Sequence, residues 1–169
     1  APERLKSEVF CRFKEVVEFY EDFYDEESRS YRFPRGQNYW ADGVWVPFNM
    51  QNAFALALLE YCRFKSDPFV VDRLFSLAQK FSSEVVREDD RLLWRYWPSE
   101  YYSGWGASRR ISEHLESKLP EDPKRFEDVS HAGINVKFIV EFSKSFPDAI
   151  FSNRDFLFLN NTLDRIVRN

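Results

Sequence analysis

The sequence predicts a mostly α-helical protein built from antiparallel helical hairpins, with two long aromatic-rich connections. Apolar residues recur at three- and four-residue spacing over five long segments, as in helices that bury one face. No alternating pattern is long enough to build a sheet, although "RLLWRYW" suits a short strand. The 169 residues fit a single domain, 1–169, that buries roughly two thirds of its unfolded surface.

In the first third of the chain, two helices are predicted on either side of an irregular connection. The first runs from Glu3 to about Asp25 and has an apolar stripe of Val9, Phe13, Val16, Tyr20 and Phe23. The next segment, up to Phe48, contains prolines, glycines and aromatic residues without a sustained period, so an extended loop is expected. Asn49 is the predicted N-cap of a second helix through Lys65. Its sequence "AFALALLEY" is apolar nearly all round, so neighbours must cover most of it.

Three or four further helices are predicted in the remainder. Asp67 and Pro68 suit the N-cap and first position of the third helix. Its buried stripe is expected to be Val70, Leu74, Leu77, Phe81 and Val85. A short amphipathic helix is expected around Ser108 to Leu119, and a longer one from about Asp128 to Ser145. Ser152, with Asp155 three residues later, predicts the cap of a last helix whose stripe is Phe156, Leu159, Leu163 and Ile166.

Composition excludes several classes of function. A net charge of -4 argues against nucleic-acid binding, which needs a clustered positive field. The longest charge-free run, "GVWVPFNMQNAFALALL", contains Pro, Gln and two Asn and is a poor bilayer span, so no membrane insertion is expected.

Cys11 and Cys62 are expected to be buried free thiols. The first residue is Ala and the only Met is Met50, as in a processed chain or a fragment of something longer.

The tryptophans are distributed differently from the phenylalanines. Phe is spread along the helical stripes, as a core requires. All five Trp residues fall in the two irregular connections, namely Trp40, Trp45, Trp94, Trp97 and Trp105. Large rings in loops either pack over helix ends or line a binding cleft. For a cleft, flat rings with neighbouring Tyr, Arg and Glu side chains suggest a sugar ligand.

The stretch "RFEDVSHAGINVKFIVEF", residues 125–142, carries the strongest candidate chemistry. Asp128 is placed to cap the helix by accepting from the His131 amide. His131 and Asn135 lie four apart on a helix face that Phe138 and Phe142 continue, and a core histidine is one explanation. The functional alternative is that Glu127, Asp128 and His131 form a proton-transfer site beside the Trp connections. No motif spacing supports a metal site with His114, and no cofactor is predicted.

Three segments together resemble a known family. These are "NMQNAFALALLEYCRFKSDPFVVDRLFSLAQKF", "LLWRYWP" and "FEDVSHAGINVKFIVEF". They are similar to the α/α-toroid, or six-hairpin glycosidase-like, proteins, which include polysaccharide lyases and the C-terminal domain of glucuronyl C5-epimerases. The similarity covers roughly Pro47 to Phe142. A full toroid needs about twice as many helices, so the resemblance implies part of a larger chain or a homodimer that completes the wall.

The resemblance implies roles for particular residues. In such lyases an Asn or Arg neutralises the substrate carboxylate, a Tyr or His removes the C5 proton, and a Tyr protonates the leaving oxygen. The implied catalytic residues are His131, Glu127, Asp128 and Tyr96. The resemblance implies Asn49 or Asn52 as the neutralising residue. With the aromatic residues of the two connections, the candidate substrate-binding residues are Trp40, Trp45, Asn49, Asn52, Trp94, Trp97, Tyr101 and Asn135. Tyr101 is an alternative to Tyr96 as the acid or base, and a hydrolase would need a carboxylate such as Asp42 opposite Glu127 or Asp128.

The sequence therefore predicts a carbohydrate-binding domain, part of a polysaccharide-modifying enzyme of the lyase, epimerase or hydrolase type. The rival interpretation is a non-catalytic α-helical module whose Trp connections bind a protein partner. A third is a sugar-binding fragment without catalysis. The sugar polymer and the cellular compartment stay open.

Overall fold

The computed structural model describes residues 3–36, 43–102 and 126–168. In chain order, the elements are α1 Glu3–Glu21, β1 Tyr24–Asp25, β2 Ser30–Tyr31, α2 Phe48–Phe64, α3 Pro68–Glu84, β3 Val86–Glu88, β4 Arg91–Leu93, α4 Ser99–Tyr102, α5 Val129–Ser145 and α6 Asn153–Arg168. The prediction of a mostly α-helical protein is confirmed. The helix predicted around Ser108 to Leu119 lies outside the described residues.

Helix α2 lies at the centre of the fold because it is apolar on several sides and packs against both α3 and α5. Near its beginning, Asn52 contacts Asn135 in the first half of α5. Near its end, Arg63 donates to Glu141 in the second half of α5, 2.9 Å away. These two contacts show that α2 and α5 run side by side in the same direction. Their N-terminal ends therefore meet at one end of the fold.

The main core forms where α2, α3, α5 and α6 meet. The predicted stripe of α3 is confirmed, since all five of its residues are buried. Phe81 contacts Phe48 at a centroid distance of 5.1 Å and also the ring of Trp94. On α6, Leu159 of the predicted stripe is buried, whereas Leu163 and Ile166 are 38% and 45% exposed. The stripe of α6 is thus covered only over its first half.

The predicted stripe of α1 is confirmed only in part, since Phe13 and Phe23 pack against the core and its other three residues are exposed. The helix ends at Glu21, and Val9, Val16 and Tyr20 of its predicted stripe are exposed. Val17 is the buried residue, and Phe13 stacks on Tyr61 of α2 at 4.9 Å between ring centroids. Apolar residues occur on two faces of α1, so periodicity alone could not identify the face that meets α2.

The predicted helix caps have mixed outcomes. The side chain of Asp67 accepts from the Phe69 amide and Pro68 is the first residue of α3, as predicted. Ser152 and Asp155 form a reciprocal cap at the start of α6. Asn49 is not an N-cap, because α2 begins one residue earlier and Pro47 holds the cap position. There the Phe48 amide donates to the carbonyl of Tyr96, 2.9 Å away.

The described parts of the two aromatic connections contain small antiparallel sheets. β1 pairs with β2, and Arg32 forms an isolated bridge with Trp45. β4 lies within the predicted strand segment and pairs with β3, a strand that the sequence did not predict. Asp89 and Asp90, which join these strands, both have positive φ, at 49° and 57°. This backbone is that of a type I′ turn, whose twist matches a tight hairpin.

Other expectations concern the cysteines and the bilayer. Both thiols are free, but only Cys62 is half-buried and Cys11 is exposed on α1. The prediction of two buried thiols is therefore wrong for Cys11. Within the described parts of the chain, no helix combines the length and the apolar character needed to cross a membrane.

Candidate active site

The N-terminal ends of α2 and α5 meet the segment that follows β4, and most of the predicted catalytic residues lie at this junction. The amide of Glu127 donates to the carbonyl of Trp94 at 2.9 Å, which ties the residues before α5 to the end of β4. The Phe48 amide bonds to Tyr96 in the same segment. Backbone hydrogen bonds thus join Trp94 to Glu127 and Tyr96 to the first residue of α2, in the irregular segments next to β4 and α5.

Glu127 is the ionisable group at the centre of a buried polar chain. Its Oε2 accepts from the indole N–H of Trp94 and from the amide nitrogen of Asn135, the latter at 2.6 Å. The carbonyl oxygen of Asn135 accepts in turn from the amide of Asn52 at 2.7 Å. Asn52 and Asn135 are almost completely buried. The chain therefore links the end of β4 to α5 and α2 through buried side-chain hydrogen bonds, although Oδ1 of Asn52 has no partner among the described residues.

The environment of Glu127 favours the protonated carboxyl. Burial raises its pKa from 4.5 to about 7, against the opposing effect of the hydrogen bonds from Trp94 and Asn135. Among the described residues, Oε1 of Glu127 has no hydrogen-bond partner although it is buried. An ionised carboxylate with one bare buried oxygen is costly. Near neutral pH, Glu127 is consequently able to act as either a proton donor or an acceptor.

Asp128 and His131 form an exposed pair beside the buried carboxyl. Asp128 caps α5 by accepting from the amides of Ser130 and His131, as predicted. Its carboxylate also lies 2.9 Å from Nδ1 of His131. Hydrogen bonds from the Ser130 hydroxyl and from His131 hold the pKa of Asp128 well below its usual range. Because an ionised Asp128 accepts from Nδ1–H, the other ring nitrogen, Nε2, keeps its lone pair for a proton.

His131 is not a core histidine, which was one of its predicted explanations. Its side chain is 46% exposed, and that of Asp128 is 50% exposed. The rings of His131 and Tyr96 meet edge to face, with centroids 5.1 Å apart. Ser130 adds a hydroxyl bonded to Asp128, but it contacts the same Nδ1 of His131, so the three residues do not have the order of a serine nucleophile triad.

Behind Tyr96, the second aromatic connection forms a small core of its own. Trp97 packs against Tyr96 at 5.1 Å and stacks on Tyr101 at 4.2 Å between ring centroids. Trp94, Trp97 and Tyr101 are buried, with 5%, 2% and 7% of their surfaces exposed. These three predicted ligand-binding residues therefore support the junction from behind. They do not offer their ring faces to solvent.

The remaining predicted residues fall in three places. Asn49 is buried beside Phe48, and its side-chain oxygen accepts from the Met50 amide. Trp45 is half-buried, beneath the Arg32 guanidinium and bonded through its indole N–H to Ser28 at 3.2 Å. Trp40, Asp42, Trp105 and His114 lie outside the described residues.

The arrangement suits proton transfer better than metal chemistry. Across the described ranges, no group of three or more His, Cys, Asp and Glu side chains is placed to hold a metal ion. The carboxyl of Glu127 points to Trp94 and Asn135, while that of Asp128 points to His131. An exposed imidazole nitrogen and a buried, easily protonated carboxyl thus flank the junction from two sides. An oriented imidazole and a carboxyl with a raised pKa are side chains of the kind that enzymes use for general acid–base catalysis.

Sequence reasoning missed two features of this junction. Ser130 was not singled out, although a Ser two residues after an N-cap Asp is a signal for a local hydrogen bond. The pairing of Asn52 with Asn135 joins positions 83 residues apart. The available signal was the set of amide side chains on apolar helices, namely Asn49, Gln51 and Asn52 in α2 and Asn135 in α5. Comparisons with protein-family models, curated proteins and solved structures found no match to this chain.

Proposed function

We propose that this chain is a carbohydrate-binding domain of a polysaccharide-modifying enzyme and that the junction of α2 and α5 is its active site. The observation that carries the proposal is the placement of exposed His131, paired with Asp128, next to the buried carboxyl of Glu127. Perturbed carboxyls and oriented histidines cluster at catalytic sites because both serve proton transfer. The family resemblance of the "FEDVSHAG" segment supplies the substrate class.

The chemistry proposed is proton abstraction next to a carboxylate, as in a lyase or an epimerase. Nε2 of His131 takes the C5 proton of a uronic acid residue while Asp128 stabilises the resulting imidazolium. In elimination, the C4–O bond then breaks, an unsaturated sugar forms, and Tyr96 supplies a proton to the leaving oxygen. In epimerisation, a proton returns to C5 from the other face. A hydrolase is less well supported because Glu127 and Asp128 are adjacent and no opposed carboxylate is described.

The helix directions support the proposed architecture, part of an α/α toroid made of antiparallel hairpins. In such a toroid, the inner helices run parallel to one another, and each is paired with an outer helix running back. Here α2 and α5 run parallel. Phe48 at the start of α2 contacts Phe81 near the end of α3, so α3 runs back along α2. On this proposal α2 and α5 are inner helices and their shared N-terminal ends face the substrate.

The test combines binding and proton exchange. The protein is titrated with a panel of neutral and uronic-acid polysaccharides. Bound polymers are then incubated in D2O and analysed by NMR for deuterium at C5 and for unsaturated sugar. We expect C5 exchange in the wild type and its loss in His131→Ala, with unchanged binding and folding. A folded protein that binds no member of the panel would overturn the proposal.

A second candidate function is a protein-interaction module, which the exposed face of α1 favours. Five large apolar side chains lie on the outer surface of this helix, namely Leu5, Val9, Val16, Phe19 and Tyr20, each at least 43% exposed. Exposed apolar stripes of this kind mark partner surfaces. The same titration separates the candidates, because a module without a sugar site leaves every polysaccharide unbound.

A further inference from the structure

A groove between α5 and α6 is lined almost entirely by carbon atoms and stands apart from the polar face of His131. Its volume is about 200 Å³, and its floor is formed by Leu92, Leu93 and Trp94. Glu127 lies at one end. Thr162 is the other polar residue of the lining, and its hydroxyl already bonds to the Leu92 amide and the Phe158 carbonyl. Oε1 of Glu127 is thus the polar side-chain atom of the described lining that lacks a partner, and it lies at one end of an otherwise apolar groove.

Small residues on α5 keep this groove open. Val129, Ala132, Gly133 and Val136 share one face of α5 toward it. A Cβ placed on Gly133 would meet no atom within 4 Å. Close packing thus does not explain a glycine at this position, although glycine weakens a helix interior relative to alanine. The small side chains of Ala132 and Gly133 therefore leave an open space above this part of α5.

The rim of the groove is accessible from solvent. Phe126 and Val129 are 40% and 58% exposed, and Leu163 and Ile166 are 38% and 45% exposed. A ligand can therefore enter without unfolding. The α5 side spans Val129 to Val136, or about 10 Å at 1.5 Å per residue. A stable protein interface buries about 800 Å² on each partner, which is far more than so short a groove offers, so a small molecule is the better occupant.

We propose that this groove binds a small, uncharged apolar ring, either free or as a substituent of a larger ligand. The volume exceeds that of the apolar cavity of about 150 Å³ which holds benzene in another protein. Neither Lys nor Arg is among the described residues that line it. Because Glu127 lies at one end, an anionic ring loses its hydration without gaining a cation. This goes beyond the proposed function, whose sugar site lies on the side of His131 and Tyr96.

The experiment titrates methyl-labelled protein with toluene, and with benzoate as the charged control. We expect saturable toluene shifts of the methyl signals of Val129, Val136 and Leu163, with those of Leu58 and Leu74 unchanged. Benzoate should produce none. In Gly133→Leu the added side chain occupies the groove and should abolish the toluene shifts. Ala53→Leu, at an exposed position of α2, is the matched control and should keep them.

Several results would overturn this assignment. One is the absence of saturable methyl shifts in the wild type up to the solubility limit of toluene. This measurement does not require Gly133→Leu to fold. Another is unchanged toluene binding in a folded Gly133→Leu variant. Methyl shifts that depend on protein concentration without toluene would assign the groove to a second copy instead. Polysaccharide binding is measured separately in the same variants, so the sugar proposal and the groove proposal fail independently.

Discussion

At the residue scale, the buried carboxyl of Glu127 governs the electrostatics of the candidate site. Its pKa in the folded protein is about 7, against an ordinary value of 4.5. The folded state therefore binds a proton more tightly than the unfolded state. Between these two pKa values the unfolded chain has released the proton, whereas the folded protein still holds it. Unfolding therefore releases a proton, and the free energy of unfolding falls as pH rises.

Replacing Glu127 by Gln should remove this pH dependence. We expect the melting temperature of the wild type, relative to that of Glu127→Gln, to fall as pH rises from about 4.5 to about 7. Glu88→Gln serves as the control, since Glu88 is exposed on β3, and it should keep the wild-type profile. Thermal denaturation of the three proteins across this range provides the measurement. A parallel profile for wild type and Glu127→Gln would contradict the assignment of a raised pKa.

Asn135 is expected to be a positioning residue for the carboxyl of Glu127. Asn135→Ala removes one hydrogen bond from Glu127 and one from Asn52, both in a buried setting. Leaving buried groups unpaired costs about 1–3 kcal/mol each, so a loss of several kcal/mol in unfolding free energy is expected from urea denaturation. Asn52→Ala should cost less, since Asn52 ends the chain. Additive effects in the double variant would show that the two amides are not coupled.

At the element scale, the start of α5 shows which parts of the site the sequence could predict. Asp128 was correctly predicted as the cap because capping depends on residues within one turn. Asn49 was wrongly predicted as an N-cap, because the helix begins at Phe48 and the Phe48 amide donates to the carbonyl of Tyr96, which is distant in the chain. The link from Glu127 through Asn135 to Asn52 also depends on helix packing. Local chemistry was thus readable from the sequence, whereas partners far apart in the chain were not.

Two substitutions of Asp128 should separate its structural role as the cap of α5 from its chemical role. Asp128→Ala removes the acceptor for two first-turn amides and should lower the unfolding free energy. Asp128→Asn keeps a capping oxygen and should restore most of that loss. The asparagine cannot stabilise an imidazolium as a carboxylate does, so C5 exchange should still fall. Full exchange activity in a stable Asp128→Asn variant would leave Asp128 as a cap only.

At the scale of the whole molecule, the helices differ in how firmly they are held. Helices α2, α3 and α5 share the main core, with residues such as Leu58, Leu77 and Phe138 fully or nearly fully buried. Among its described side chains, α1 contributes only Val17 to the fully buried set. Its other contacts include rings against α2, such as Phe13 on Tyr61, and an ion pair at its end between Glu21 and Arg73 of α3 at 2.6 Å. Because local opening free energy follows buried contacts, α1 should be the least stable of these four helices.

Hydrogen exchange followed by mass spectrometry should reveal this gradient. We expect the amides of α1 to exchange well before those of α2, α3 and α5 under native conditions. Val17→Ala should accelerate exchange in α1 with little change in α5, since it removes the main anchor of one helix only. Leu77→Ala, in the shared core, should lower global stability by about 2–5 kcal/mol and accelerate exchange in every helix.

If α1 were instead protected as strongly as α5 at micromolar concentration and lost that protection on dilution, its exposed apolar face would be covered by a second copy. That result would favour a homodimer in which α1 contributes to the wall between the two chains.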